Sequence, residues 1–295
     1  MQPSVTQGLV RVDGASIYYE RRGDGPALLL ISGGMGEADH YSRAADLLAS
    51  DYTVLTFDRR GNGRSRWRDP KRQFSVLQQA QDAVAVITAN GFESASVYGS
   101  SSGASIVLEM ITAYPQTLSC AIAHEPPIIT GLPNRGEMLD WYDHLHAMAL
   151  QGQTLQGHAE FFARTGLANP ISAGTNARPS SPENARWRER QRRNIETFMH
   201  DEILVLAYYL PDYPRLRASD VPLVIAAGHD GLNHHGAGKP IFYSQAAQRV
   251  AERIGTELVE FPGNHVLHSV DPSTFVATLR PLLRRANNRL SNATR

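Results

Sequence analysis

Short apolar runs alternate with amphipathic segments along most of the chain, and this alternation restricts its fold more than any other feature. Continuous apolar runs, as at residues 27–31 and 52–57, are typical of strands buried on both faces of a sheet. Other segments place apolar residues at steps of three and four, as one face of a helix requires. One such stripe consists of Leu77, Ala80, Val84 and Ile87. We therefore predict an α/β fold built on a doubly wound, mainly parallel sheet.

The alternation is interrupted between residues 131 and 218. This stretch is rich in Trp, Tyr, Phe, His and Pro, and its pattern predicts helices and loops. We interpret it as a helical cap inserted after the sixth predicted strand, which divides the chain into a core of residues 1–130 and 219–295 and a cap of residues 131–218. Right-handed crossovers would align the carboxyl ends of the core strands at one edge, where a site is expected.

Composition excludes several classes of protein. The 29 basic and 29 acidic side chains cancel, so no global field attracts nucleic acid or an anionic membrane. Mean hydropathy is −0.32, and no apolar run reaches the roughly 18–20 residues that a membrane span needs. The single cysteine, Cys120, cannot form an internal disulfide. The first residues lack the basic and apolar regions of a secretion signal, and we expect a cytoplasmic protein.

The strongest local signal is Gly99-Ser100-Ser101-Ser102-Gly103, which lies between a predicted strand and a predicted helix. It fits G-x-S-x-G, in which the central serine is held on a sharp, strained turn with its hydroxyl projecting into a site. Small residues two before and two after let the helix pack back on the strand. We predict that Ser101 is a nucleophile and that the Ser102 amide faces the same space.

A nucleophilic serine needs a base and a second donor for the oxyanion. His265 follows the last predicted strand and is our candidate base, with His268 as its competitor three residues on. The glycine-rich loop of residues 32–36 follows the third predicted strand, and the Gly34 amide is our candidate second donor. The adjacent His234 and His235 lack carboxylate or thiolate partners at metal-ligand spacing, so we expect no metal.

Together these motifs resemble the α/β-hydrolase superfamily, from about Leu9 to Leu283. The segment DRRGNGRS at residues 58–65 is similar to the D-x-R-G-x-G-x-S turn of that family, where its role is mainly structural. The segments GMGE at 34–37, SSGAS at 101–105 and AHEPP at 123–127 resemble the zearalenone lactonases and related capped hydrolases. The resemblance implies a serine hydrolase with a catalytic triad.

Two residues compete for the acid of that triad. Most α/β-hydrolases carry an aspartate three residues beyond a glycine after the cap, but here Asp230 lies two beyond Gly228 and Gly231 takes the usual position. The zearalenone lactonase pattern instead implies a glutamate after the preceding strand, which falls on Glu125. A glutamate that ends an apolar strand needs a partner, and two prolines stiffen the turn behind it. We favour Glu125 and keep Asp230 as the alternative.

We therefore expect an enzyme without a cofactor that cleaves a carboxylic ester or lactone through an acyl-enzyme. Its partner would be a small apolar or aromatic substrate rather than nucleic acid or a membrane, and a homo-oligomer is compatible with the sequence. The alternatives are a cofactor-free perhydrolase or haloperoxidase, a carbon–carbon bond hydrolase, and a non-catalytic binding protein. The apolar preference rests on the aromatic residues of the cap, which are Trp141, Tyr142, Phe161, Phe162, Trp187, Phe198, Tyr208 and Tyr209.

Overall fold

The computed structural model of the chain describes residues 3–71, 74–167, 182–233 and 241–293. One sheet runs through it, with the strands in the spatial order β1-β2-β4-β3-β6-β7-β8-β9 and β5 paired with β2. The first two strands are antiparallel, and the pairs from β4 to β9 are parallel. The strands are β1 Val5–Val12, β2 Ala15–Arg22, β3 Ala27–Ile31, β4 Thr53–Phe57, β5 Arg66–Trp67, β6 Ala95–Ser100, β7 Leu118–His124, β8 Leu223–Gly228 and β9 Leu258–Phe261.

Helices pack on both faces of the sheet. Along β3, Leu29 and Ile31 belong to one buried apolar cluster while Leu28 and Leu30 belong to the other, as a period of two requires. The doubly wound parallel sheet predicted from the sequence is confirmed. The described α-helices are α1 Ser42–Leu48, α2 Val76–Ala89, α3 Ser102–Ala113, α4 Arg135–Leu150, α5 Thr154–Thr165, α6 Pro182–Thr197, α7 Ile203–Ala207, α8 Tyr213–Ala218, α9 His229–Asn233, α10 Phe242–Ile254, α11 Leu267–Val270 and α12 Pro272–Ala293.

Two details differ from the sequence prediction. The two-residue strand β5 was not expected, because two residues carry no readable periodicity, and the insertion therefore follows the seventh strand rather than the sixth. Residues 229–233, for which the sequence predicted no element, form the short helix α9.

Residues 131–218, called the helical insert below, contain helices α4 to α8 and no strand among their described residues. A five-residue π-helical turn, Phe198–Glu202, lies between α6 and α7. Helix α6 contacts the core through several polar side chains. The buried carboxylate of Glu37 accepts hydrogen bonds from Arg190, Gln191 and Asn194 of this helix.

The parallel strands end in register at one edge of the sheet. Ile31 pairs with Gly99, Ser100 with His124, and His124 with Ala226, so the loops that follow β3, β6, β7 and β8 lie side by side. This edge carries the candidate site. Within the described residues, no helix combines the length and apolar character needed to cross a membrane.

Candidate active site

Ser101 lies at the apex of the turn between β6 and α3. Its φ of 55° and ψ of −127° are strained for a residue with a side chain. The flanking glycines make the turn sterically feasible. A Cβ on Gly99 would collide with the carbonyl oxygen of Gly103, and a Cβ on Gly103 would collide with that of Ile31. The turn therefore requires glycine at both positions and leaves the Ser101 side chain partly exposed to a cavity.

His265 lies in the loop after β9 and is buried. Its Nδ1 is 2.5 Å from Oε2 of Glu125, the residue that directly follows strand β7. Since a carboxylate can only accept, Nδ1–H donates to it and Nε2 is left available for a proton from elsewhere. The structure therefore joins the predicted base to the acid that the sequence favoured.

The Glu125 carboxylate is fully buried and has a donor at each oxygen. Oε1 accepts from the Ser244 hydroxyl at 2.5 Å and from the Gly228 amide at 3.0 Å. Burial alone would raise the pKa of Glu125, but the hydrogen bond and charge of His265, helped by His124 and Ser244, outweigh it and hold this pKa below its ordinary value. The carboxylate is therefore ionised at neutral pH, and it places a buried negative charge beside the His265 ring.

Asp230, the alternative acid, lies at the start of α9. Its amide donates to the carbonyl oxygen of Gly263 at 3.0 Å. In the described part of the chain its carboxylate forms no hydrogen bond or ion pair with His265. The structure instead brings the Glu125 carboxylate to the imidazole.

Ser101 and His265 line the same cavity, and the structure records no hydrogen bond between their side chains. In structures without a substrate, contacts of this kind are frequently long and tighten in the complex.

The competitor His268 also lines the cavity, but its ring packs against Tyr41, with the ring centroids 4.5 Å apart, and its Nδ1 has no partner among the described residues. It therefore lacks the carboxylate that orients His265.

The two residues predicted to supply the oxyanion donors line the same cavity as Ser101. Ser102 is the first residue of α3, where backbone amides have no intrahelical partner and the helix dipole is positive. Gly34 lies in the loop after β3. The neighbouring Gly33 is so close that a Cβ there would be 2.9 Å from the Ser101 Cβ. Gly33 and Gly34 line the cavity together with Ser101 and Ser102.

Backbone strain is concentrated at this site. Among the described residues, only three that are not glycine have positive φ, namely Met35, Ser101 and Glu125, at 59°, 55° and 51°. Met35 belongs to the loop that carries the candidate donor Gly34, called the oxyanion loop below, and the other two are the candidate nucleophile and acid. Strained backbone of this kind is typical of functional sites, where the surrounding structure holds it in place.

The cavity measures about 410 Å³, within the usual range for small-molecule sites. Four of the eight aromatic residues singled out in the insert line it. Of the others, Trp141 stacks on Phe161, Trp187 is half-buried, Tyr208 is exposed, and Tyr209 donates to Glu109.

The core adds apolar residues to the cavity lining that sequence reasoning missed, because nothing in their spacing relates them to the site. The apolar lining comprises Met35, Tyr142, Phe161, Phe162, Leu167, Phe198, Leu206, Phe242, Tyr243, Val266 and Val270.

Buried histidines surround the site and were also missed. Burial, only partly opposed by the Glu125 charge, lowers the pKa of His124 to about 4, and its ring lies 6.4 Å from that of His265. Burial likewise lowers the pKa of His158 to about 4, and its Nε2 is 3.3 Å from the sulfur of Met35. Both are therefore neutral at physiological pH.

No group of three His, Cys, Asp or Glu side chains within the described ranges could hold a metal ion. His234 and His235 lie outside those ranges.

Comparison with known proteins is consistent with this arrangement. A family model described as the alpha/beta hydrolase fold matches residues 26–272. The uncharacterized hydrolase YraK of Bacillus subtilis is 29% identical over 287 residues, which cover 95% of this chain and 97% of that protein. Zearalenone hydrolase of Cladophialophora bantiana is 36% identical over 118 residues, 39% of this chain and 44% of that one. The crystal structure of a hydrolase from Pseudomonas aeruginosa superposes with a TM-score of 0.69 at 18% identity, covering 94% and 98% of the two chains.

Proposed function

The chain belongs to the alpha/beta hydrolase fold family and resembles the zearalenone lactonase-like enzymes, as its sequence motifs predict, and we propose that this hydrolase cleaves a carboxylic ester or lactone through an acyl-enzyme on Ser101. The observation that carries the proposal is the 2.5 Å bond between His265 and Glu125 at the wall of the cavity into which the strained Ser101 projects.

In the first step, Nε2 of His265 takes the proton of the Ser101 hydroxyl as the oxygen attacks the carbonyl carbon. The negative charge that develops on the carbonyl oxygen is stabilised by the Gly34 and Ser102 amides. Glu125 keeps Nδ1–H in place and stabilises the imidazolium. His265 then donates the proton to the leaving alcohol, which departs as the acyl-enzyme forms.

In the second step, His265 removes a proton from water as the water oxygen attacks the acyl carbon. His265 then returns this proton to the Ser101 oxygen, which leaves as the acid is released. In a lactone the alcohol and acyl groups belong to one molecule, so the opened product stays attached to Ser101 until this step.

The cavity supports a neutral, apolar or aromatic substrate. Aromatic and aliphatic side chains form most of its described lining, and its volume suits a small molecule. The similarity to zearalenone hydrolase supports a lactone among the candidate esters. We further propose that the helical insert is a cap over the site, because Tyr142, Phe161, Phe162 and Phe198 of the insert line the cavity together with Ser101.

Fluorophosphonate labelling tests the nucleophile without knowledge of the substrate. We expect one adduct in the intact protein, mapped to the peptide containing Ser101, and none in Ser101→Ala. Ser105→Ala is the matched control, because this buried serine lies one turn further along α3 and its hydroxyl has no partner among the described residues. Absence of an adduct in folded wild-type protein would favour a binding role.

A substrate panel then separates the chemical alternatives. We expect aryl esters and macrolactones to be hydrolysed without hydrogen peroxide, with turnover lost in Ser101→Ala. Turnover that requires peroxide would identify a perhydrolase or haloperoxidase instead. Activity confined to β-diketone substrates would identify a carbon–carbon bond hydrolase.

A further inference from the structure

A buried arginine is bonded to the loop that carries the second oxyanion donor. The Arg59 side chain is fully buried, and its Nη2 and Nε donate to the carbonyl oxygen of Gly33 at 2.7 and 3.1 Å. The loop closes tightly around the guanidinium, since a Cβ on Gly36 would collide with Nε. The D-R-R-G motif, whose role sequence reasoning took to be mainly structural, therefore reaches the candidate site.

These hydrogen bonds fix the direction of the Gly34 amide. The Gly33–Gly34 peptide is trans, like every described peptide bond, so its N–H points opposite to its C=O. Because Arg59 holds the carbonyl on one side, the Gly34 N–H is turned to the other. A flipped peptide would lose both hydrogen bonds and turn a carbonyl oxygen toward the developing oxyanion, which it would repel.

The charge of Arg59 is balanced by a residue of the helical insert. Oε2 of Glu202 lies 2.7 Å from Arg59 Nη2, and both side chains are fully buried. The other oxygen of Glu202 accepts from Asn62 at 2.8 Å, and Gln79 accepts from Arg59 Nη1. A buried guanidinium without its carboxylate is strongly destabilised, so the position of Arg59 depends on Glu202.

Glu202 ends the π-helical turn Phe198–Glu202, and the same turn forms part of the cavity wall. The Phe198 ring lines the cavity, and a Cβ on Gly34 would be 2.9 Å from it. This short turn of the insert therefore contacts the oxyanion loop in two ways. Phe198 packs against Gly34 at the cavity, and Glu202 supplies the counter-ion of Arg59, which is bonded to Gly33. Irregular turns of this kind occur frequently at functional sites.

We infer that Arg59 and Glu202 are positioning residues that hold the Gly33–Gly34 peptide in the orientation needed for the oxyanion hole. This inference rests on the proposed serine hydrolase function. It assigns to the insert a part in transition-state stabilisation in addition to its contribution to the cavity wall.

The chain offers a matched control for the structural role of such a pair. Arg60 and Asp82 form a second buried ion pair at 2.7 Å, with both side chains 1% exposed. The hydrogen bonds that the structure shows for Arg60 go to Asp82 and to the carbonyl oxygen of Asp13, not to the loop of Gly33. Replacing Asp82 therefore measures the cost of disturbing a buried arginine without disturbing the oxyanion loop.

The test compares Glu202→Gln and Arg59→Lys with Asp82→Asn and Arg60→Lys. Turnover of p-nitrophenyl butyrate and of its thiono analogue is measured together with the melting temperature. Sulfur accepts hydrogen bonds poorly, so the preference for the oxygen ester reports the oxyanion hole. We expect Glu202→Gln and Arg59→Lys to lose about 100-fold or more in kcat, with little change in KM and a reduced oxygen-to-sulfur preference. The control pair should lose melting temperature but keep both the preference and nearly all of kcat.

The inference would be overturned if Glu202→Gln and Arg59→Lys kept the wild-type kcat and the wild-type oxygen-to-sulfur preference. It would also be overturned if the control variants lost as much kcat and preference as these two. If a single variant does not fold, the double variant Arg59→Met/Glu202→Met removes both charges together and carries the same prediction. Labelling of wild type at Ser101 separates the two proposals. A labelled wild type with unaffected variants overturns only the positioning role, whereas an unlabelled and inactive wild type overturns the proposed function itself.

Discussion

The Glu125 carboxylate fills the space into which a side chain at Gly231 would project. A Cβ built on Gly231 would lie 3.0 Å from Oε1 of Glu125 and would collide with the hydroxyl of Ser244, which donates to that oxygen. Position 231 is where the family pattern places its aspartate. In this chain the carboxylate reaches the same place from the end of β7 instead of the end of β8. Glu125 therefore fits only because position 231 is glycine.

Glu125→Gln should abolish nearly all turnover, and Asp230→Asn should leave it almost unchanged. The amide of glutamine can present a donor to Nδ1 and favour the wrong tautomer of His265, a change that costs on the order of 10⁴-fold in kcat in a similar triad. Steady-state kinetics on an aryl ester checks both variants. Loss of activity in Asp230→Asn alone would mean that Asp230 is the acid.

Gly231→Ala should lower both stability and activity, because the new methyl group displaces Ser244 or the Glu125 carboxylate. We expect a loss of about 1–3 kcal/mol, as for other overpacked sites, and a lower kcat. The control is Gly136→Ala, a helical glycine with no atom within 4 Å of the added Cβ, which should be neutral or slightly stabilising. Denaturant unfolding and aryl ester turnover measure the two effects, and equal behaviour of the two variants would contradict the arrangement.

Ser244→Ala should weaken the proposed triad without removing any of its members. The substitution takes one of two donors from Oε1 of Glu125 and leaves the Gly228 amide, so we expect a loss of about 1–3 kcal/mol in stability and a reduced kcat. Ser105→Ala tests a serine of similar burial whose hydroxyl has no partner in the described chain, and it should have little effect. If both variants keep full turnover, Ser244 does not position the acid.

Stability should fall on acidification between about pH 6.5 and pH 4, in part because of His124. Its pKa in the folded protein is about 4, against about 6.5 in the unfolded chain, so within this interval the unfolded state binds more protons. The contribution of His124 alone to the free energy of unfolding amounts to about 3 kcal/mol. This stability is lost progressively as the pH falls through the interval, and no more of it is lost at lower pH.

The variant that checks this is His124→Phe, which keeps an aromatic ring among Tyr98 and Phe261 and cannot be protonated. Its free energy of unfolding should depend less steeply on pH over the interval than that of wild type. His144→Gln, at an exposed position on α4, should show the wild-type slope. An unchanged slope in His124→Phe would show that the acid sensitivity arises elsewhere.

Much of the fold follows from local patterns in the sequence. The buried strands are recognisable because a strand covered on both faces must be apolar throughout, and the Ser101 turn because only glycine fits two positions beside it. The candidate nucleophile, base and acid could be named from the sequence because each lies just after a predicted strand. The two-residue strand β5 and helix α9 could not be predicted, because they are too short to have a period of their own.

The sequence by itself determined the alternating architecture, the strained serine turn and the short set of residues at the strand ends. It left Glu125 and Asp230 as alternatives, because both follow neighbouring strands and no local rule states which side chain reaches an imidazole far along the chain. Tertiary structure decided which of them contacts His265. It also made the contacts of Arg59 with Gly33 and Glu202, which join segments 26 and 143 residues apart in the chain. Such contacts are set by the packing of whole elements, and for that reason no local pattern in the sequence records them.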